Sequence, residues 1–192
     1  MRVAPAGLAY GRDRAFDMGV QFAALTHGHP SGYLSAGALA HIVAAIIEGF
    51  ELKTAVKESI EILKNYAGHA ECVTALQMAS TLAGGDLPDN EAIAKLGEGW
   101  VGEEALAIAI YCSLKHQDDY RKAVTVAVNH SGDSDSTGSI TGNIVGAYLG
   151  ISNIPVDWLK NLELREVITQ IADDLLPENR TSGQWQERYP VW

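Results

Sequence analysis

Residues 35–50 constrain this chain more than any other stretch, because they are almost continuously apolar. Leu39, Ile42, Val43, Ile46, Ile47 and Phe50 share one helical face, and Ala occupies several of the remaining positions. A helix apolar around most of its circumference has to be surrounded on most sides. What surrounds it is also helical, since no β-alternation runs longer than a few residues and no repeat of 20–50 residues is present. The expected fold class is therefore all-α, a compact orthogonal multi-helix domain of about nine or ten helices.

In chain order, residues 1–12 carry Pro5, Gly7 and Gly11 and read as an irregular or short helical lead-in. A buried helix over 13–26, with an Asp cap, is stopped by Gly28 and Pro30. After the central 35–50 helix, 54–66 is an ordinary amphipath, and the charges from Glu51 to Lys64 form a solvated face. Further helices are expected over 69–82, 89–96 and 103–115, then from an Asp118-Asp119 cap to Asn129. The last expected helices cover 138–150, a short segment begun by Pro155, and 162–176. One domain over 1–176 is followed by a tail, 177–192, in which Arg180, Gly183, Trp185 and Trp192 show no periodicity. That tail is expected to be partly disordered or to dock through its Trp side chains.

A length of 192 residues suits one domain with a sizeable core. The net charge of −10 opposes binding to a phosphate backbone, so no nucleic-acid partner is expected. No apolar signal segment opens the chain, and the longest uncharged stretch, 31–47, contains His41 and falls short of a spanning helix, so no membrane partner is expected. Cys72 and Cys112 sit in apolar helical patterns with neither disulfide nor zinc spacing. They read as buried thiols, which points to the cytoplasm.

The chemistry concentrates between Asn129 and Gly150. Asp133 and Asp135 stand among Ser131, Ser134, Ser136 and Thr137, with Gly132 and Gly138 free to turn the backbone. All of these donors are hard oxygens, a set that suits Mg²⁺, Mn²⁺ or Ca²⁺ better than Zn²⁺. A single Asp before a helix is explained as a cap, but two carboxylates at i, i+2 repel unless a cation or several donors stand between them. An EF-hand loop matches at Asp133, Asp135, Thr137 and Gly138 and fails where a bidentate Glu is needed, because Ile144 stands there. Beyond the acidic loop, Gly138, Gly142, Gly146 and Gly150 make a bare helical ridge fit for a close backbone approach, while Ile140, Ile144, Ala147, Tyr148 and Ile151 should face the core.

Two smaller constellations accompany it. In Thr26-His27-Gly28-His29-Pro30 the two His lack a third zinc ligand, and cationic His at a helix C-terminus is the plainer reading. In Gly97-Glu98-Gly99-Trp100 the indole is either a lid on the core or a flat face for a base.

The run Asn129-His130-Ser131-Gly132-Asp133-Ser134-Asp135-Ser136-Thr137-Gly138, with Ile140-Thr141-Gly142-Asn143 and Gly146-Ala147-Tyr148-Leu149-Gly150 after it, resembles the C-terminal signature of the ADP-ribosylglycohydrolase family. Met1-Arg2-Val3-Ala4-Pro5, Thr26-His27-Gly28-His29-Pro30 and Gly99-Trp100-Val101-Gly102-Glu103-Glu104-Ala105-Leu106 resemble the family in the same order. The resemblance implies an all-α fold of that type lacking its N-terminal helices. It implies metal-dependent hydrolysis of the glycosidic bond in ADP-ribosylated side chains or small ADP-ribose conjugates. Asp133, Asp135 and Ser136 would be metal ligands for Mg²⁺ or Mn²⁺, two ions in the complete site, and His27, Trp100 and Gly132 would line the ADP-ribose pocket. The family's Thr-Asp-Asp ligands, a catalytic acidic residue and a Gly-rich phosphate loop would all precede Met1. Asp118-Asp119 and Asp173-Asp174 do not replace them, since neither pair follows a Thr. The catalytic residue therefore stays unassigned, and Mg²⁺, which takes about six oxygens, finds half of them here. The partners expected are an ADP-ribose-type ligand and either a complementing N-terminal chain or a second copy. The alternative is a non-catalytic ADP-ribose-binding or structural relative.

Overall fold

Pro30 opens the longest helix of the protein, its fixed φ suiting the first helical position. His29 is the N-cap, its Nδ1 accepting the Ser31 N–H at 3.3 Å. In this computed structural model, which describes residues 1–181 and 183–190, that helix begins five residues ahead of the apolar run that announced it. The polar turn at its mouth carries no periodicity. His29 also departs from expectation: it caps the start of the next helix rather than standing at the end of the previous one.

Among the described residues twelve α-helices follow one another: α1 Ala4–Ala9, α2 Arg12–Ala24, α3 Pro30–Ile47, α4 Leu52–Leu63, α5 Ala70–Ala83, α6 Asp89–Leu96, α7 Gly102–Lys115, α8 Tyr120–Val128, α9 Ser134–Leu149, α10 Val156–Lys160, α11 Arg165–Leu175 and α12 Gly183–Arg188. No strand occurs among the described residues, so the all-α expectation is met. Helix α1 takes the short helical form, one of the two read for residues 1–12, and α12 is an addition in the tail, too short for periodicity to reveal. Asp13 is not the cap of α2; Gly11 is, and Asp13 lies in the first turn.

Two helices make the core. The first is α3, long and apolar enough to cross a membrane yet 72% buried inside the protein. The second is α7, buried without interruption from Ala105 to Ser113. Helices α1, α2, α4, α7 and α9 pack around α3, and α5, α8 and α9 lean on α7. Leu34, Leu39, Ile42, Leu106, Ile108 and Ile110 are almost fully withdrawn from water. Each such side chain contributes about 1.5–3 kcal/mol of burial free energy.

Close backbone approach occurs where α2 crosses α3. A Cβ on Gly19 would lie 3.0 Å from Gly37 Cα, and one on Gly37 would lie 2.9 Å from Phe16 O. The glycine ridge of α9 meets side chains instead. Val128 fills the space beside Gly138, and a Cβ on Gly142 would come within 3.2 Å of Tyr120 Oη. Ile140 and Ile144 face the core as expected, but Ile151 is 52% exposed.

Cys72 and Cys112 are free and buried, and burial pushes both thiols up to about 12. The tail folds back: Trp185 Nε1 donates to Asp174 O at 3.0 Å, Arg188 pairs with Asp174 at 2.5 Å, and Arg180 donates to Ala9 O. Trp192 lies outside the described residues.

Candidate functional site

Helix α9 starts at Ser134, so Asp135, Ser136 and Thr137 belong to its first turn and not to a preceding loop. An EF-hand geometry is thereby excluded. Asp133 takes the N-cap position without a capping bond from its side chain. Asp135 Oδ1 accepts the Ser136 N–H at 2.8 Å.

The backbone of this turn is clamped from one side. Asp133 N–H donates to Glu98 O at 2.8 Å, and Gly132 lies so close to that carbonyl that any Cβ would overlap it. Gly99, at φ +81°, brings the loop against the same turn, where a Cβ would sit 3.0 Å from Thr137 Cγ2. From the other side, His130 holds the turn with both ring nitrogens. Nδ1 accepts the Gly132 N–H at 3.1 Å, and Nε2 lies 2.9 Å from Thr137 Oγ1. Because Thr137 Oγ1 donates to Ala127 O at 2.7 Å, the proton of the neutral imidazole belongs on Nε2.

The Asp133 carboxyl is held below the usual carboxylate range, first by its hydrogen-bonding neighbour Asp135, then by the Ser136 hydroxyl. Two carboxylates two residues apart at the start of α9 and the Ser136 hydroxyl in the same turn are an oxygen-only donor set that fits a hard divalent cation. The fit is partial, because no group of three or more His, Cys, Asp or Glu side chains converges anywhere among the described residues.

The other sequence-selected residues sit around the same end of the bundle. Trp100 is 66% exposed, with Nε1 donating to Glu98 Oε2 at 3.0 Å, so it is not a lid on the core. The start of α7 reaches the start of α3, since a Cβ on Gly102 would be 3.2 Å from Ser31 O and 3.3 Å from Gly32 Cα. Gly32 in turn lies beside His27, whose exposed ring contacts Thr26 Oγ1 through Nδ1 at 2.9 Å. The N-termini of α3, α7 and α9 are thus gathered together. Backbone N–H groups and helix dipoles there favour an anionic ligand.

Residues 1–185 match the sequence profile of the ADP-ribosylglycohydrolase family. The chain belongs to that family. Among its relatives, ADP-ribosylhydrolase ARH3 of Mus musculus is 24% identical over 208 residues, covering 91% of this chain and 55% of that protein. ADP-ribosylarginine hydrolase Tri1 of Serratia proteamaculans (strain 568) is 41% identical over 58 residues, covering 30% and 16%. ADP-ribosyl-[dinitrogen reductase] glycohydrolase of Rhodospirillum rubrum is 35% identical over 57 residues, covering 28% and 19%. The chain spans about half the length of the mouse protein and less than a fifth of the other two.

Within this ADP-ribosylglycohydrolase domain, sequence reasoning overlooked Glu98, Glu104 and His130 as builders of the acidic turn. A signal was present in Gly97 and Gly99, both at positive φ. Glycines spaced by one residue ahead of a helix mark a backbone packed tightly against something else.

Proposed function

We propose that this ADP-ribosylglycohydrolase domain acts on the glycosidic bond of ADP-ribosylated protein side chains or small ADP-ribose conjugates, releasing ADP-ribose with the help of Mg²⁺ or Mn²⁺. The observation that carries the proposal is the placement of Asp133 at the N-cap of α9, with Asp135 and Ser136 following in its first turn. Family membership supports the same reading, as do the activities named for two relatives, ADP-ribosylhydrolase and ADP-ribosylarginine hydrolase.

Asp133, Asp135 and Ser136 would hold the ion, with its remaining positions filled by water or by oxygens from outside these 192 residues; two ions would occupy a complete site. Such an ion supplies a polarised water and a grip on vicinal ribose hydroxyls. The chain's own contributions are orientation and charge. Trp100 offers an exposed indole face to the adenine, Gly132 lets the Glu98 carbonyl lie against the turn, and His27, its Nδ1 engaged by Thr26, keeps Nε2 for a ligand oxygen. The three helix N-termini favour the pyrophosphate. The general base stays unassigned among these residues.

Calorimetric titration with Mn²⁺ tests the site. Wild type should bind the ion and Asp135→Ala should weaken binding at least about tenfold; equal heats for both would overturn the assignment. Incubation with ADP-ribosylated arginine tests the activity through released ADP-ribose. The second reading, a domain that binds ADP-ribose without cleaving it, is favoured by the lack of a third acidic ligand among the described residues; binding without release would select it. We place the protein in the cytoplasm, in keeping with its two free buried thiols.

A further inference from the structure

We propose that Glu104 is the positioning residue of the acidic turn, acting on Asp133 through the loop formed by residues 97–101. The inference rests, for its functional meaning, on the reading of Asp133 as a ligand. Its structural content stands apart from that reading.

Glu104 occupies the third position of α7, where a Glu ordinarily folds back to the N–H of the N-cap residue. The N-cap here is Val101, and the Glu104 carboxylate reaches past it. Oε2 accepts the Glu98 N–H at 3.1 Å and the Gly99 N–H at 3.0 Å. The room for that carboxylate exists because residue 97 is Gly at φ +115°, where a Cβ would collide with it. One charged oxygen therefore fixes two consecutive peptide units, and the charge is well placed beside the N-terminus of α7.

Those peptide units carry the Glu98 carbonyl, which accepts the Asp133 N–H and faces Gly132. The relay thus has three rigid steps: carboxylate to loop backbone, loop carbonyl to Asp133 backbone, and Asp133 backbone to its own side chain. The same loop presents Trp100, tied to Glu98 Oε2. Moving Glu104 would displace the carboxylate pair and the indole together. Hydrogen bonds from outside the ligand shell that orient metal-binding side chains change metal affinity about 10–100-fold when removed.

The decisive experiment compares Glu104→Ala and Glu104→Gln with wild type, using amide hydrogen exchange at Asp133 and Mn²⁺ calorimetry on the whole chain. Glu104→Ala should raise exchange at the Asp133, Glu98 and Gly99 amides at least about tenfold while the α3 and α7 amides stay protected. It should also weaken Mn²⁺ binding about tenfold. Glu104→Gln keeps an acceptor oxygen in place and should restore most of both. An Asp133 amide as protected in Glu104→Ala as in wild type would overturn the relay, whatever the ion does. If that amide is released but wild type itself takes up no Mn²⁺, the relay stands and the metal reading falls.

Discussion

Helices α7 and α11 carry similar amounts of aliphatic sequence and meet opposite fates. In α7 every residue from Ala105 to Ser113 is buried. In α11 the apolar stripe of Val167, Ile168 and Ile171 is about half exposed, and Leu164 just before it is 65% exposed. The difference is one of surroundings. Helices α3, α5, α8 and α9 enclose α7, whereas α11 touches α1 and the turn that follows it, with Trp185 and Arg188 of the tail bonded to Asp174. Apolar periodicity tells which face of a helix profits from leaving water; it does not say that anything is there to receive it.

The comparison would break most visibly in amide exchange. Amides of α3 and α7 should exchange only when the whole domain opens, and those of α11 through local fraying, a gap of several kcal/mol in opening free energy. Equal protection would mean that α11 belongs to the core. Truncation comes next: Ile108→Ala should lower stability in urea by about 2–5 kcal/mol, whereas Ile168→Ala should stay within about 0.5 kcal/mol.

A smaller test uses His41, buried on α3 with Nδ1 unpartnered. Burial lowers its pKa below 6.5, with Arg12 of α2 adding to that effect and Glu58 of α4 and Glu48 at the end of α3 opposing it. The unfolded chain therefore takes up this proton first, so the contribution of neutral His41 is whole above about pH 6.5 and fades as pH falls toward the lowered value. His41→Leu should flatten the melting temperature between about pH 6.5 and 5 relative to wild type; parallel curves would remove His41 from the account. The smallest effect is expected in light scattering. The exposed stripe of α11 should support weak self-association at high concentration, and Ile168→Lys should reduce it. A monomeric wild type would mean that the stripe needs no partner.

Much of the fold was written in local pattern. Asp89–Leu96 coincides with its expected limits, α7 starts one residue early, and Asp119 caps α8 by accepting the Lys122 N–H at 2.9 Å. The errors cluster where polar residues begin a helix, at Pro30 and Ser134, because propensity and periodicity are silent there. The glycine ridge was misjudged for a related reason. Spacing shows that side chains are missing, but whether a backbone or a Tyr ring enters the gap depends on the neighbouring helix.

For the candidate site, residue types alone selected an oxygen donor set at Asp133, Asp135 and Ser136 and gave the family resemblance its footing. They did not reveal that residues 97–101 grip the turn, since a contact between Glu98 and Asp133 leaves no trace in the order of the chain. The sequence by itself determined which segments coil and which faces are oily, because those depend on neighbours three or four residues away. Tertiary structure alone decided that three helix N-termini meet, that Glu104 reaches the acidic turn through a borrowed loop, and that α11 keeps its apolar face half in water. Each of these is a contact between segments far apart along the chain, formed only when packing brings them together.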